Sequence, residues 1–220
     1  DPALKADERI NGKSGQRDDR WVFTEDNPDR EAYVAAGLAA AARVLKKSNP
    51  ALAAESLAAA EDLYSKAKAR VKKAKTKSFA LSELAFSTGK QEYLDELVGI
   101  REDLIKNIGE AGWPLGRVLP KIKDKQFKQA IAKAVQDYQL GVKERARTES
   151  PYGVPYKPNI WGAGWDIQEF GVKQYFFHKS WPEYTGTDSY LNALNFVLGV
   201  HPGSNTQSFA SGVGANSATT

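Results

Sequence analysis

The chain has 220 residues, enough for one or two domains with a real hydrophobic core. With 41% hydrophobic and 26% charged residues it has the composition of a globular protein, and no apolar run approaches the roughly 18 residues of a membrane span. Cysteine is absent, which excludes disulfides, thiolate catalysis and cysteine-based zinc sites. Two histidines, His178 and His201, are too few for a histidine-rich metal centre. The net charge of +4 permits an acidic partner without requiring one. The sequence starts at Asp1, contains no methionine and opens on no signal-peptide pattern, so it reads as a mature product or a fragment.

Residues 1–30 are polar and turn-rich, an expected arm or long loop anchored by Trp21 and Phe23. Asp29 is placed to cap a following helix, "EAYVAAGLAAAARVLKK", whose Val34, Leu38, Ala41 and Leu45 share one face. "SNP" ends it, and Pro50 starts a second helix expected to run to about Lys73. Its face is read as Leu52, Ala59, Ala60, Leu63 and Ala67, so that small residues allow close approach. The two form an antiparallel hairpin.

A second hairpin follows: "SFALSELAFS", the turn "TGK", then "QEYLDELVGIREDLIKN" with Tyr93, Leu97, Ile100 and Leu104 on one face. "GEAGWPLG" reads as an interruption. "KDKQFKQAIAKAVQDYQLGVKERA" then aligns Phe127, Ile131, Val135, Tyr138 and Val142. The glycine- and proline-rich "SPYGVPYKPNIWGAG" leads to the helix "WDIQEFGVKQYFFHK", and "DSYLNALNFVLG" forms the last one. The expectation is all-α, about seven helices with no strand and no strict solenoid repeat. Short connections on one side and long aromatic ones on the other place functional loops at one end.

"LNFVLGVHPGSNTQSFASGVG", beginning at Leu194, resembles a segment of glycoside hydrolase family 9, the cellulase-type enzymes. Val197-Leu198-Gly199 stands for that family's Leu-Leu-Gly helix end and His201-Pro202 for its Asn-Pro turn. Residues 208–214 stand for its Ser-Tyr-Val-Thr-Gly-Tyr-Gly loop. "LAAAARVLKKSNPALAAESLAAAEDLYSKAK", "LSELAFSTGKQEYLDE" and "NIWGAGWD" match further family segments in the same order.

The resemblance implies helical hairpins of an (α/α)6 toroid of about twelve helices. It also implies inverting hydrolysis of β-1,4-linked glucan-type polysaccharide outside the cytoplasm, whether secreted, periplasmic or at the cell surface. His201 departs from the family's asparagine. The family's Asp-Ala-Gly-Asp motif, which supplies the base, and its later catalytic glutamate have no counterpart here. The chain therefore reads as the central part of such a domain: residues 1–30 an arm, 31–220 a partial toroid, with the catalytic acid and base on flanking polypeptide.

Inversion needs two carboxylates about 6.5–9.5 Å apart with water between them. Asp26 and Asp29 have D-x-x-D spacing, but "EDNPD" is an ordinary turn followed by a helix cap, so no catalytic residue is assigned. The expected sugar contacts are Tyr152, Tyr156, Trp161 and Trp165, flat rings held stiff by proline and glycine, together with His201 at a helix end. The competing reading is that these rings cover the end of the core.

Trp113 and Trp181 are expected to be loop anchors and His178 structural. Arg20 could pair with Asp18 or Asp19, or bond a sugar. The basic run from Lys66 to Lys77 has no interleaved aromatics and reads as a solvated helix end, not a nucleic-acid site. No phosphate loop, cofactor motif or EF-hand spacing is present in the sequence. The alternatives are a polysaccharide lyase or another toroid enzyme acting on an acidic sugar, and a non-enzymatic helical scaffold.

Overall fold

The computed structural model describes residues 26–157, 162–200, 202–204 and 206–218. The expected arm with Arg20, Trp21 and Phe23 lies outside the described residues, as do Trp161 and His201. Nine α-helices are found among the described residues: α1 (Pro28–Leu45), α2 (Pro50–Ala67), α3 (Ala74–Thr88), α4 (Gln91–Gly99), α5 (Arg101–Lys106), α6 (Ile108–Leu115), α7 (Lys125–Thr148), α8 (Ala163–Ser180) and α9 (Asp188–Leu198). Two short strands, β1 (Gln207–Ser211) and β2 (Asn216–Ala218), pair in parallel within the stretch expected to be a loop without strand, and the fold stays all-α in class. Their Ser, Asn and Gly content carries no alternating pattern to announce them.

Two helix starts follow from local chemistry. The Asn27 side chain accepts from the Arg30 N–H at 3.0 Å, and that of Asn49 accepts from the Leu52 N–H at 3.2 Å. A proline follows each cap, in the first turn where an N–H has no helical acceptor. Asp29 is not the cap. Its carboxylate accepts instead from the Lys73 N–H at 3.0 Å, fastening the start of α1 to the start of α3.

The buried face of α1 is Ala32, Ala35, Ala36, Ala39 and Ala42, while Val34 and Val44 are exposed. The face expected from the larger side chains is thus displaced. Methyl groups let α2 and α3 approach closely, and the bulky residues are left at the margin. In α2 the buried residues are Ala53, Ser56, Ala60, Tyr64 and Ala67, with Leu52 exposed. That helix ends before the Lys73 expected for it, because the chain turns to bury Val71. Packed against α1, α2, α4 and α6, α3 is buried on most sides from Thr76 to Ala85, so it has no clean amphipathic stripe.

The single return helix expected over residues 91–107 is broken at Ile100 into α4 and α5, though Leu97 and Leu104 stay buried. "GEAGWPLG" is itself helical. Its glycines are close-packing positions: a Cβ on Gly112 would lie 2.8 Å from the Phe177 ring. These two departures raise the helix count above the expected seven. The face read for α7 is correct, with Phe127, Ile131, Val135 and Val142 buried, Tyr138 partly buried and Gln139 added.

The helices form two layers. Asp29 ties the start of α1 to the start of α3, and Lys75 lies 3.6 Å from Glu110, tying α3 to the start of α6. At the opposite ends Arg43 of α1 and Arg117 after α6 meet Glu83 of α3, while Gly116 packs on Ser180 and Trp181 at the end of α8. Hence α1, α3, α6 and α8 run parallel as one row, and α2, α4 with α5, α7 and α9 return behind them. One core extends from Ala32 to Trp181. A smaller one, Val154, Ile167, Ala193 and Phe196, holds α8, α9 and the loop before α8.

Candidate functional site

The starts of the four parallel helices define one end of the molecule. The connections arriving there are 68–73, Asn107, 149–162 and, after α9, the segment from 199 onward. The expected concentration of long loops at one end therefore holds only for the last part of the chain. Residues 116–124 and 181–187 give the opposite end substantial loops as well.

The segment over 149–157 is fastened at several points. Ser150 Oγ donates to the Val154 carbonyl at 2.8 Å, and Asn192 Nδ2 donates to the Gly153 carbonyl at 3.2 Å. Gly153 has φ +68° and lies so close to Asn192 that a side chain there would be strained and crowded. Tyr152 meets Phe196 edge-on at 4.8 Å, and Tyr156 packs on the same small core. Both rings are partly buried, so the loop is shaped from beneath by its own aromatics. Trp165 differs from them. It stands in the first turn of α8 with 83% of its surface exposed.

The segment after α9 folds back on that helix. Gly199 (φ +77°) ends α9, Ser208 Oγ donates to the Val197 carbonyl at 3.0 Å, and Phe209 stacks on Phe196 at 4.5 Å. Phe196 therefore touches both Tyr152, edge-on, and Phe209, stacked, joining the two long loops through three rings.

A row of rings crosses the parallel helices, one from each. Tyr33 of α1 lies 5.4 Å from Phe79 of α3, Phe79 lies 5.4 Å from Trp113 of α6, and Trp113 lies 5.5 Å from Phe176 of α8. Tyr175 and Tyr190 extend the row. Trp113 is thus a member of the helical wall and not a loop anchor. Trp181 is buried at the end of α8, and His178 bonds the Thr185 carbonyl through Nδ1 at 2.7 Å, a structural placement. The sequence contained no signal for this row, because its members come from helices whose relative register is not written locally.

Charges near the same end are largely paired. Lys173 donates to Glu110 at 2.8 Å and approaches Glu169 at 2.6 Å. Burial pulls the Lys173 pKa down, but the two carboxylates outweigh it and hold the ammonium above its ordinary value. The hydrogen bond from Lys173 holds Glu169 below the usual carboxylate value against the opposing effect of burial. Asp26 pairs with Arg70, so Asp26 and Asp29 both serve as ties. In the basic run Lys66 pairs with Asp62 at 2.7 Å, while Val71 is buried. Among the described residues no group of three or more acidic or histidine side chains is arranged to hold a metal ion, and no helix is long and apolar enough to cross a membrane.

This two-layered arrangement superposes on a metagenome-derived glycoside hydrolase family 9 endoglucanase with a TM-score of 0.65 and 23% identity, over 86% of this chain. The fold is that of the family 9 glycoside hydrolases. A family 9 protein of Bacteroides ovatus superposes with a TM-score of 0.62 and 17% identity, over 85% of this chain. The chain spans 39% and 41% of the lengths of these two structures, so its hairpins are part of an (α/α)6 toroid. No family profile and no curated protein matches the chain.

Proposed function

We propose that this chain is the central part of a secreted, periplasmic or cell-surface catalytic domain that hydrolyses β-1,4-linked glucan-type polysaccharide with inversion. The chain contributes scaffold and a sugar-binding rim. The observation that carries this reading is Trp165, a large apolar ring held almost bare in the first turn of α8, on the same side as the fastened 149–157 segment. A bare indole fixed on a helix is a large flat apolar surface available to a ligand. The flat C–H face of a pyranose ring suits that surface. Trp161, Tyr156, Tyr152 and His201 complete the proposed rim. The base and the acid belong to polypeptide flanking this chain, about 6.5–9.5 Å apart as inversion requires.

The apolar cleft between α8 and α9, lined by Val172, Tyr175, Leu191, Leu194 and Val197, supports further hairpins of the same domain on that side. The test is titration of the chain with cello-oligosaccharides, followed by tryptophan fluorescence. Saturable quenching that disappears in Trp165→Ala is expected, with no reducing ends released from carboxymethylcellulose by the isolated chain. Binding undiminished in Trp165→Ala would remove the role of this ring. Hydrolysis by the isolated chain would remove the assignment of acid and base to flanking polypeptide.

A further inference from the structure

At the opposite end of the parallel helices a phenyl ring stands in a nest of cations. Phe86 of α3 is 40% exposed. The Arg43 and Arg117 guanidinium carbons and the Lys121 ammonium lie over its ring at 5.0, 5.0 and 5.1 Å from the centroid. The two arginines arrive from α1 and from the turn after α6 and are fixed by one carboxylate, Glu83. Its Oε2 takes Arg43 and its Oε1 takes Arg117, and its side chain is only 2% exposed. Arg43 also donates to the Ala39 and Glu83 carbonyls and to Ser87 Oγ. The guanidinium groups are thus held in place before any ligand arrives, which lowers the ordering cost of binding.

The ring separates two cavities. One, of about 580 Å³, is lined by Phe86, Arg117, Leu119, Lys128, Lys179 and Ser180. The other, of about 610 Å³, is lined by Arg43, Lys46, Leu57, Phe86 and Ser87. Each is large enough for a monosaccharide or disaccharide. Arg43, Lys46, Arg117, Lys121, Lys128 and Lys179 surround the ring and its cavities, and Glu83 is the one carboxylate paired with any of them among the described residues. Glu83 can neutralise only one of the two guanidinium groups it holds. Positive charge concentrated in concave surfaces attracts anions, and fixed guanidinium forks match the geometry of carboxylate and phosphate. The part of Phe86 left exposed between the cations offers an apolar contact beside that charge.

The geometry points to a binding site for an anionic sugar, an oxyanion carried on a pyranose ring, with the ring on Phe86 and the oxyanion among Arg117, Lys121 and Lys128. The site is independent of the proposed rim, since it lies at the other ends of the same helices. The oxyanion can be the carboxylate of a sugar acid or the phosphate of a sugar phosphate.

The test is calorimetric titration of the chain with digalacturonic acid, glucose 6-phosphate, inorganic phosphate and cellobiose. Saturable binding of at least one anionic sugar is expected, at least tenfold tighter than any response to cellobiose at this site and weakened by added salt. The arm that binds identifies the oxyanion. Lys121→Ala with Lys128→Ala, at exposed or partly exposed positions, lowers that affinity at least tenfold at unchanged thermal midpoint. Phe86→Ala weakens the sugar ligand but not inorganic phosphate. Failure of both anionic sugars to bind, or binding unaffected by the double lysine variant, would overturn the assignment.

Discussion

Phe196 and Phe209 stack with ring centroids 4.5 Å apart and planes 9° from parallel, locking the segment after α9 onto the helix it has just left. Phe196 is buried whereas Phe209 keeps half its surface in water, so the pair closes the small core from outside. Phe209→Ala is expected to cost about 0.5–1.5 kcal/mol, the range of an aromatic pair beyond its burial. Amide exchange over 207–218 should accelerate while α1 to α7 remain protected. Unchanged exchange in that segment would show that the stack does not hold it.

Glu83 is a single buried carboxylate serving two guanidinium groups. Replacing it with alanine leaves both arginines without a counter-charge in a poorly hydrated place, a change that typically costs about 3–5 kcal/mol. Urea unfolding of Glu83→Ala should show that loss. A change below about 1 kcal/mol would mean the arginines find water instead.

Two glycine substitutions should have opposite signs. At Gly37, on the exposed side of α1, an added Cβ meets nothing within 4 Å, so Gly37→Ala should stabilise by about 0.5–1 kcal/mol through helix propensity. At Gly112 the same methyl group lies 2.8 Å from the Phe177 ring and 3.1 Å from Ile108. Gly112→Ala should destabilise by about 1–3 kcal/mol through overpacking. Equal thermal midpoints for the two variants would contradict the close approach of α6 and α8.

The Glu169–Lys173–Glu110 group sets a pH window. Glu169 has a lowered folded pKa, so its contribution is present above the unfolded value of about 4.3 and is lost as pH falls through the folded value. Lys173 has a raised folded pKa, so its contribution is present below about 10.4 and is lost as pH rises through the folded value. The stability difference between the native chain and Lys173→Met should be nearly flat between about pH 5 and pH 10 and should shrink on either side. Urea midpoints across pH test this, and a difference that persists undiminished in strong acid would remove Glu169 from the account.

The α7 face shows what local pattern can carry. Phe127, Ile131, Val135 and Val142 recur at helical spacing on a helix with a polar outer side, and burial follows the pattern. Elsewhere the same reasoning misplaced the buried face. On α1 the large side chains mark the margin and alanines mark the contact, because two neighbouring helices approach closely enough to exclude anything larger. In and just after α6 the glycines resemble helix breakers locally, yet Gly109, Gly112 and Gly116 sit where Tyr138, Phe177, Ser180 and Trp181 press against the backbone.

The candidate sites divide in the same way. The 149–162 loop and Trp165 were legible because glycine, proline and aromatic residues crowd into one stretch of sequence. Phe86, Arg43 and Arg117 were not, since each looks like an ordinary surface residue locally and only the parallel alignment of α1, α3 and α6 gathers the arginines on Glu83 and over Phe86.

Helical content, the proline-led starts of α1 and α2, the α7 face and the likeness to family 9 were written in the sequence, because they depend on residues a few positions apart. Which small residues form contacts, which rings align across the row and which cations share one carboxylate were decided by the tertiary structure. Those relations join residues tens of positions apart, and only close packing of the helices fixes their distances.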